Sequence, residues 1–528
     1  MHDAFAAPRG QPDVDEGVQV LTRGPVHEAF AEVIAFNREP GVVVPKAPPD
    51  AIEELPPDQR PAGANVAWIP GYWAWDDEGN DYLWVSGLWR FLPPGRQWIA
   101  GYWGKSESGY QWTSGYWADG KAREIEYLPE PPEAVNADPD GEAPSEDQTW
   151  IPGVRVWNQN RYTSRPGYWA KMQTNWDWIP AHYVWSPRGY VFVDGYWDYS
   201  VGRRGVLFAP VSFDAGVYTQ PGFTYSPVNV INTATIIGNL FLRPSYGHYY
   251  FGDYYAANYD GLGFYPSYSF HNHFGYDPFY AQQRWQNRQD REWEQNVATQ
   301  FRNRRDNEDA RPPRTLAAQN ELVKSGTSKD EGFVVARPLS QLTKSQDSSM
   351  RFQPVDKQER QKLGQVGTAI GNHRAERQKL EAGAAGAVAK EPSGKAAPAK
   401  VKLSASPIVA KAPHQLSGDH VPPKVHETPE PDLKSEPKSA PKVEPKTEPR
   451  PVPKVEPKVE PNPAPKAEPK PDTKPAPKVE PKPAPKAEPK PEPKPAPKAE
   501  PKPEPKPAPK TEPKSAAPSG EPKKKTSA

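Results

Sequence analysis

The sequence contains no cysteine, and only ten histidines and three methionines, in 528 residues. Without cysteine there is no disulfide framework and no thiolate zinc site, a state compatible with any compartment. No apolar run approaches the ~20 residues that a membrane-spanning helix needs. GxSxG, HExxH, P-loop and GxGxxG patterns are all missing, as is an acid pair in a setting that would split its pKa values. No catalytic residue, cofactor or metal ligand is therefore nominated, and the chain reads as a non-enzyme. The start, MHDAFAAPRGQPDVDEG, lacks the basic n-region and apolar stretch of a signal peptide. Either the protein is cytoplasmic, or the chain begins inside or after an export signal, for which AFAA at 4–7 has suitable small residues.

Charge is balanced overall, with 66 basic and 66 acidic side chains, but unevenly spread. The last 98 residues carry 31 of the 70 prolines, and 23 Lys+Arg against 15 Asp+Glu. The rest of the chain holds 43 against 51, so an acidic body is joined to a basic tail. Proline at every second or third position of the tail (EPKPAPKAEPKPEPK) forbids helix and sheet pairing. As extended polyproline-II, at ~3.1 Å per residue, 98 residues would reach up to ~300 Å.

What is abundant is tryptophan: 16 of the 18 lie between residues 68 and 197. They recur in W-x-x-G-x-W motifs: WIPGYW at 68–73, WVSGLW at 84–89, WIAGYW at 98–103 and WTSGYW at 112–117. Weaker copies follow as WIPG at 150, SRPGYW ending at 169, WIPAHY at 178 and FVDGYW ending at 197. Starts at 84, 98 and 112, then at 150, 164, 178 and 192, give a 14-residue spacing broken by one acidic insert. Strand, turn, strand in 14 residues suits an antiparallel meander and is too short for a crossover helix. The expected fold is mainly β, with two four-strand aromatic meanders, helical segments and a long disordered Pro/Lys/Glu tail. Hairpins centred on FLPPG and KSESG would pair Trp89 with Trp98 and Trp103 with Trp112, with each motif glycine leaving room for an indole over the backbone.

The segments run as follows: an extended Pro-rich leader (1–66), a first repeat block (67–118), an acidic insert (119–149) and a second block (150–200). A Tyr/Phe-rich cap (201–280) is expected to cover one aromatic face. Asp277-Pro278 reads as an N-cap and first helical residue, opening a helix over 281–311 with Trp285, Trp293, Val297 and Phe301 at multiples of four. After a linker (312–355), Asp356 and Glu359 form a capping box for a helix over 356–390, through Leu363, Val366 and Ile370. The tail takes 391–528. Both helices have thin apolar stripes and need docking to be stable.

Exposed indoles stack on sugar rings, aromatics or cations, whereas buried ones build a core poor in aliphatics. Trp73, Trp89, Trp103, Trp117, Trp169 and Trp197 are the candidate aromatic binding surface. His271 and His273, at i, i+2 in FHNHF, lack further metal ligands, with His248 the one conceivable addition. NADPDGEAPSED at 136–147 superficially resembles a calcium loop, but has Asp147 where a bidentate Glu belongs, and internal Pro. The tail is either a spacer, a tether or an acidic-polymer binder.

These repeats resemble the WxxGxW (YxWGxW) repeat family of bacterial proteins. The likeness spans roughly 17–285, taking in VLTRGPVHEAFAE (20–32), IEELPPDQRP (52–61), RRGVLFAPVSF and YGHYYFGDYY. It implies no catalytic residues, and commonly an export signal. The tail resembles, in composition only, the periplasm-spanning segment of TonB-type proteins. The expected function is a non-catalytic scaffold or binding protein of the cell envelope or extracellular space. Its partners would be a polysaccharide, a cell-wall polymer or another envelope protein, with no specific nucleic acid and no transmembrane segment. A glycan-binding module is the main alternative, and a cytoplasmic acidic-polymer binder a remote one.

Overall fold

In the computed structural model the residues described are 17–133, 139, 141–326, 333–344, 350–382 and 398–410. The chain divides into two units, 1–433 and 434–528, and every described residue belongs to the first. Most of the Pro/Lys/Glu tail and part of the calcium-like stretch thus lie outside the described residues.

The body is mainly β, and the repeats form four long hairpins, each bent in the middle. The first runs out through Val66–Ile69 and Tyr72–Asp76 and back through Asp81–Val85 and Leu88–Phe91. The second uses Arg96–Ile99, Tyr102–Ser106, Gly109–Thr113 and Tyr116–Asp119. The third (148–171) and fourth (176–199) repeat this plan. Two motifs therefore face each other antiparallel, and the structural unit is twice the sequence spacing. Trp68 pairs with Trp89, Trp73 with Trp84, Trp98 with Trp117 and Trp103 with Trp112. Trp150 pairs with Trp169 and Trp178 with Trp197.

The expected Trp103–Trp112 pair is present; the Trp89–Trp98 pair is not. FLPPG is a link between hairpins, because Pro93 and Pro94 have no N–H to give a ladder. Each hairpin closes instead on a polar turn, such as Asn158–Arg161, where Gln159 and Asn160 adopt φ of 48° and 61°. Four bent hairpins thus replace the two meanders.

At each bend, two residues per strand leave the ladder, and the second is glycine in seven of the eight places (Ala181 is the eighth). A Cβ on Gly87 would lie 2.6 Å from the Trp68 indole, and one on Gly115 2.6 Å from that of Trp98. The motif therefore spends its glycine on seating an indole of the opposite strand.

The segments around the hairpins are more ordered than their composition suggests. The leader is no free arm: Val18–Val20 pairs with Val211–Phe213, Gly24–Pro25 with His248–Phe251, and Val43–Val44 with the second hairpin. Residues 201–280 pack on the first hairpin, adding Gly205–Leu207 as a strand beside Leu88–Phe91. The 281–311 helix is two helices, Pro278–Gln286 and Trp293–Asp306, opened by Asp277 accepting from Phe279 N. The 312–355 linker holds the helix Leu316–Ser325 and two short strands. Within the acidic insert, Glu124–Leu128 is a strand, and Ala399–Lys402 of the presumed tail pairs with it.

The helix Lys357–Ala382 docks through charge where its apolar stripe is too thin. Arg377 and Glu381 are fully buried and 2.9 Å apart. Arg377 donates to the carbonyls of Ala100 and Ser114, both at the bend of the second hairpin, at 3.0 Å. Glu381 accepts from the Tyr102 and Tyr127 hydroxyls at 2.6 and 2.9 Å. Gly364 lets the helix close on Leu55, which a Cβ there would meet at 2.7 Å.

Candidate functional site

A bent hairpin frees backbone N–H groups that must find other acceptors. In the first hairpin, Glu54 takes them: it accepts from Gly71 N at 2.6 Å, Gly87 N at 3.0 Å and the Trp84 indole at 3.1 Å. In the second, Glu28 accepts from Gly115 N at 3.1 Å and the Trp112 indole at 3.0 Å. Burial pushes the Glu28 carboxyl up to about 8 and Glu54 up to about 7, against hydrogen bonds that favour the ionised form. Glu32 follows the same leader to the fourth hairpin, accepting from His182 Nε2 at 3.0 Å and from Trp117 N. Beyond the bends, Arg90–Asp198 (2.5 Å) ties the first hairpin to the fourth, and Arg204, just after the fourth, pairs with its Asp177 (2.8 Å); both pairs are fully buried. These carboxylates are internal parts of the frame.

The surface offers a different chemistry. A groove of about 480 Å³ runs between the third hairpin and the helices Pro278–Gln286 and Trp293–Asp306. Four indoles line it: Trp150, Trp169, Trp285 and Trp293. All four are half-buried. Trp150 and Trp169 sit edge to face at 5.4 Å, and Tyr280 buttresses Trp293 at 5.5 Å. Polar groups alternate with the rings. Arg284 pairs with Glu294 at 3.1 Å, the Tyr280 hydroxyl donates to Glu294, and Arg288 lies 5.0 Å above Trp285. Glu142, Glu146, Asp290 and Arg291 complete the wall. The Trp285 Nε1 is buried without a hydrogen-bond partner. Aromatic faces with a few fixed polar groups are what an orienting ligand site requires.

Residues 63–90, 162–182 and 174–198 match the family model described as the WXXGXW repeat. These stretches are WXXGXW repeats. No curated protein and no solved structure matches the chain.

The WXXGXW motifs put their indoles mostly inside. Of the six proposed surface residues, Trp73, Trp89, Trp117 and Trp197 are buried, so they are not open to a ligand. Trp103 and Trp169 are half-buried, and of these only Trp169 lines the groove. Burial follows from the pairing: the indole of one motif lies over the glycine of its partner. Trp150 was legible as the partner of Trp169 once two motifs are set antiparallel. Trp285 and Trp293 stand outside the WXXGXW repeats; two large indoles on weakly apolar helices were the available signal.

His271 is buried, with Nδ1 accepting from Asp277 N, and burial lowers it to about 3. His248 is buried at 2.8 Å from the Tyr72 hydroxyl. Among the described residues no three His, Cys, Asp or Glu are grouped to hold a metal, and no helix is long and apolar enough to cross a membrane.

Proposed function

We propose that this chain is a non-catalytic scaffold and binding protein of the cell envelope or extracellular space. Its WXXGXW hairpins form the rigid frame, and the Trp150–Trp169–Trp285–Trp293 groove takes a polysaccharide or cell-wall polymer. The observation that carries this reading is that groove: four indoles from one hairpin and two helices converge there, while most indoles of the first repeat block serve the core. A pyranose presents C–H groups on its faces and hydroxyls at its edges. The first suits an indole, the second the carboxylates and guanidiniums interleaved with the rings. The extracytoplasmic placement rests on the family resemblance, and on a tail long enough, if extended, to reach across a periplasm or wall.

The test is tryptophan fluorescence of the full chain, titrated with a panel of polysaccharides and wall fragments. A saturable shift with one polymer, lost in Trp285→Ala and Trp293→Ala while unfolding is unchanged, is expected. A folded chain that shows no shift across the panel would leave the indoles as frame alone.

A further inference from the structure

The repeats provide their own internal comparison. At the bend of the first hairpin the paired glycine amides hold the Glu54 carboxylate, and at the second Gly115 N holds Glu28 through both oxygens. The third hairpin has glycines at the same two places, Gly153 and Gly167, set back to back in the same way. A Cβ on Gly153 would lie 3.0 Å from Gly167 N; one on Gly101 would lie 2.8 Å from Gly115 N. Yet neither Gly153 N nor Gly167 N meets an acceptor among the described residues.

The leader that brings Glu28 and Glu32 to earlier bends passes here too, but at 34–39 it stands off. A cavity of about 330 Å³ separates it from Gly153 and from Pro180–Tyr183 of the fourth hairpin. That volume is at the small end for ligand sites. Two cations line it. Arg38 spends Nε on the Tyr183 carbonyl at 3.0 Å. Arg155 bonds Ser164 Oγ through Nη1, while its buried Nε has no partner. Glu39, Glu130 and Glu133 also line the cavity, but they are exposed, where water and salt screen them.

We propose that this cavity binds a small carboxylic acid, of sugar-acid or amino-acid size. Its carboxylate would occupy the place at the Gly153/Gly167 bend that Glu54 and Glu28 fill in the sister hairpins. Arg38 and Arg155 supply the countercharge, and backbone N–H groups the geometry, as in other backbone anion sites. The site is separate from the tryptophan groove.

Calorimetric titration of the full chain with glucuronate and with N-acetylglycine tests it, against the neutral counterparts glucose and N-acetylglycinamide. Binding of at least one acid and of neither neutral analogue is expected, and the tighter acid identifies the source of the carboxylate. Arg38→Gln should weaken that acid at least tenfold, while Trp285→Ala leaves it unchanged. No heat from either acid would overturn the proposal, as would neutral analogues binding equally well. So would acid binding within twofold of the original in a folded Arg38→Gln chain. If Arg38→Gln does not fold, Arg155→Gln takes its place, and the acid-to-neutral comparison on the unaltered chain decides by itself.

Discussion

A carboxylate enclosed by three N–H donors is the smallest unit on which this body depends. Glu54→Ala would leave the amides of Gly71 and Gly87 and the Trp84 indole without an acceptor. At about 1–3 kcal/mol for a buried unsatisfied group, a loss on the order of 3 kcal/mol is expected in urea unfolding. The pH dependence has a definite sign. Glu28 and Glu54 bind a proton more tightly folded than unfolded, because burial raises their pKa values to about 8 and about 7. Their contribution is complete below the ordinary carboxyl range near 4.5, and is lost as pH rises through 7 and 8. Thermal unfolding followed from pH 4.5 to 8.5 should therefore show this part of the stability falling, with a shallower fall in Glu28→Gln. An equal slope in that variant would sink the assignment. None of this was legible in sequence. A lone Glu in a Pro-punctuated leader gives no periodic signal, and Glu28 meets Gly115 across 87 residues.

Among elements, the hairpin and the C-terminal helix show opposite degrees of legibility. The Trp103–Trp112 pair could be read because the turn between them, KSESG, is polar and carries no proline. The Trp89–Trp98 pair does not form, because FLPPG has turn residues but its Pro93 and Pro94 have no N–H to give a ladder. The N-caps at Asp277 and Asp356 were readable from local chemistry, and Asp356 does accept from Glu359 N at 2.8 Å. The stripe of the helix Lys357–Ala382 was readable, and Ile370 is buried in the core. Where the helix docks was not, since its buried ion pair leaves no periodic signal. Arg377→Ala should cost about 3–5 kcal/mol, because it strands Glu381 in the core. Replacing Arg377 and Glu381 together with Met and Leu should recover much of that loss. Chemical denaturation of the single and double variants measures both. At the bends, Gly115→Ala should destabilise by at least about 1 kcal/mol, since its Cβ would meet the Trp98 indole at 2.6 Å.

For the whole molecule, the repeats do not close a core by themselves. The leader brings Glu28 to the second bend and the Lys357–Ala382 helix brings Arg377 to it, with Ala399–Lys402 pairing with Glu124–Leu128. Deleting everything after residue 355 should therefore expose the second hairpin's bend. Faster hydrogen exchange at 96–119 and increased dye binding to apolar surface are expected, whereas deletion after 410 should leave both unchanged. The body's class was legible because a Trp/Gly period writes itself into the sequence. Its stitching was not, because contacts between residues 28, 115 and 377 leave no pattern at any fixed spacing.

That stitching also bears on how the chain is made. Arg377 reaches the Ala100 carbonyl across 277 residues of sequence. At about 5–20 residues per second, a ribosome needs on the order of tens of seconds to deliver the one after the other. Through that interval the hairpins can pair locally, but the second bend lacks its guanidinium and the body stays unsealed. Closure of the second bend thus waits on residues made long after the hairpins themselves, and the body is sealed late in synthesis, once 377–402 have followed.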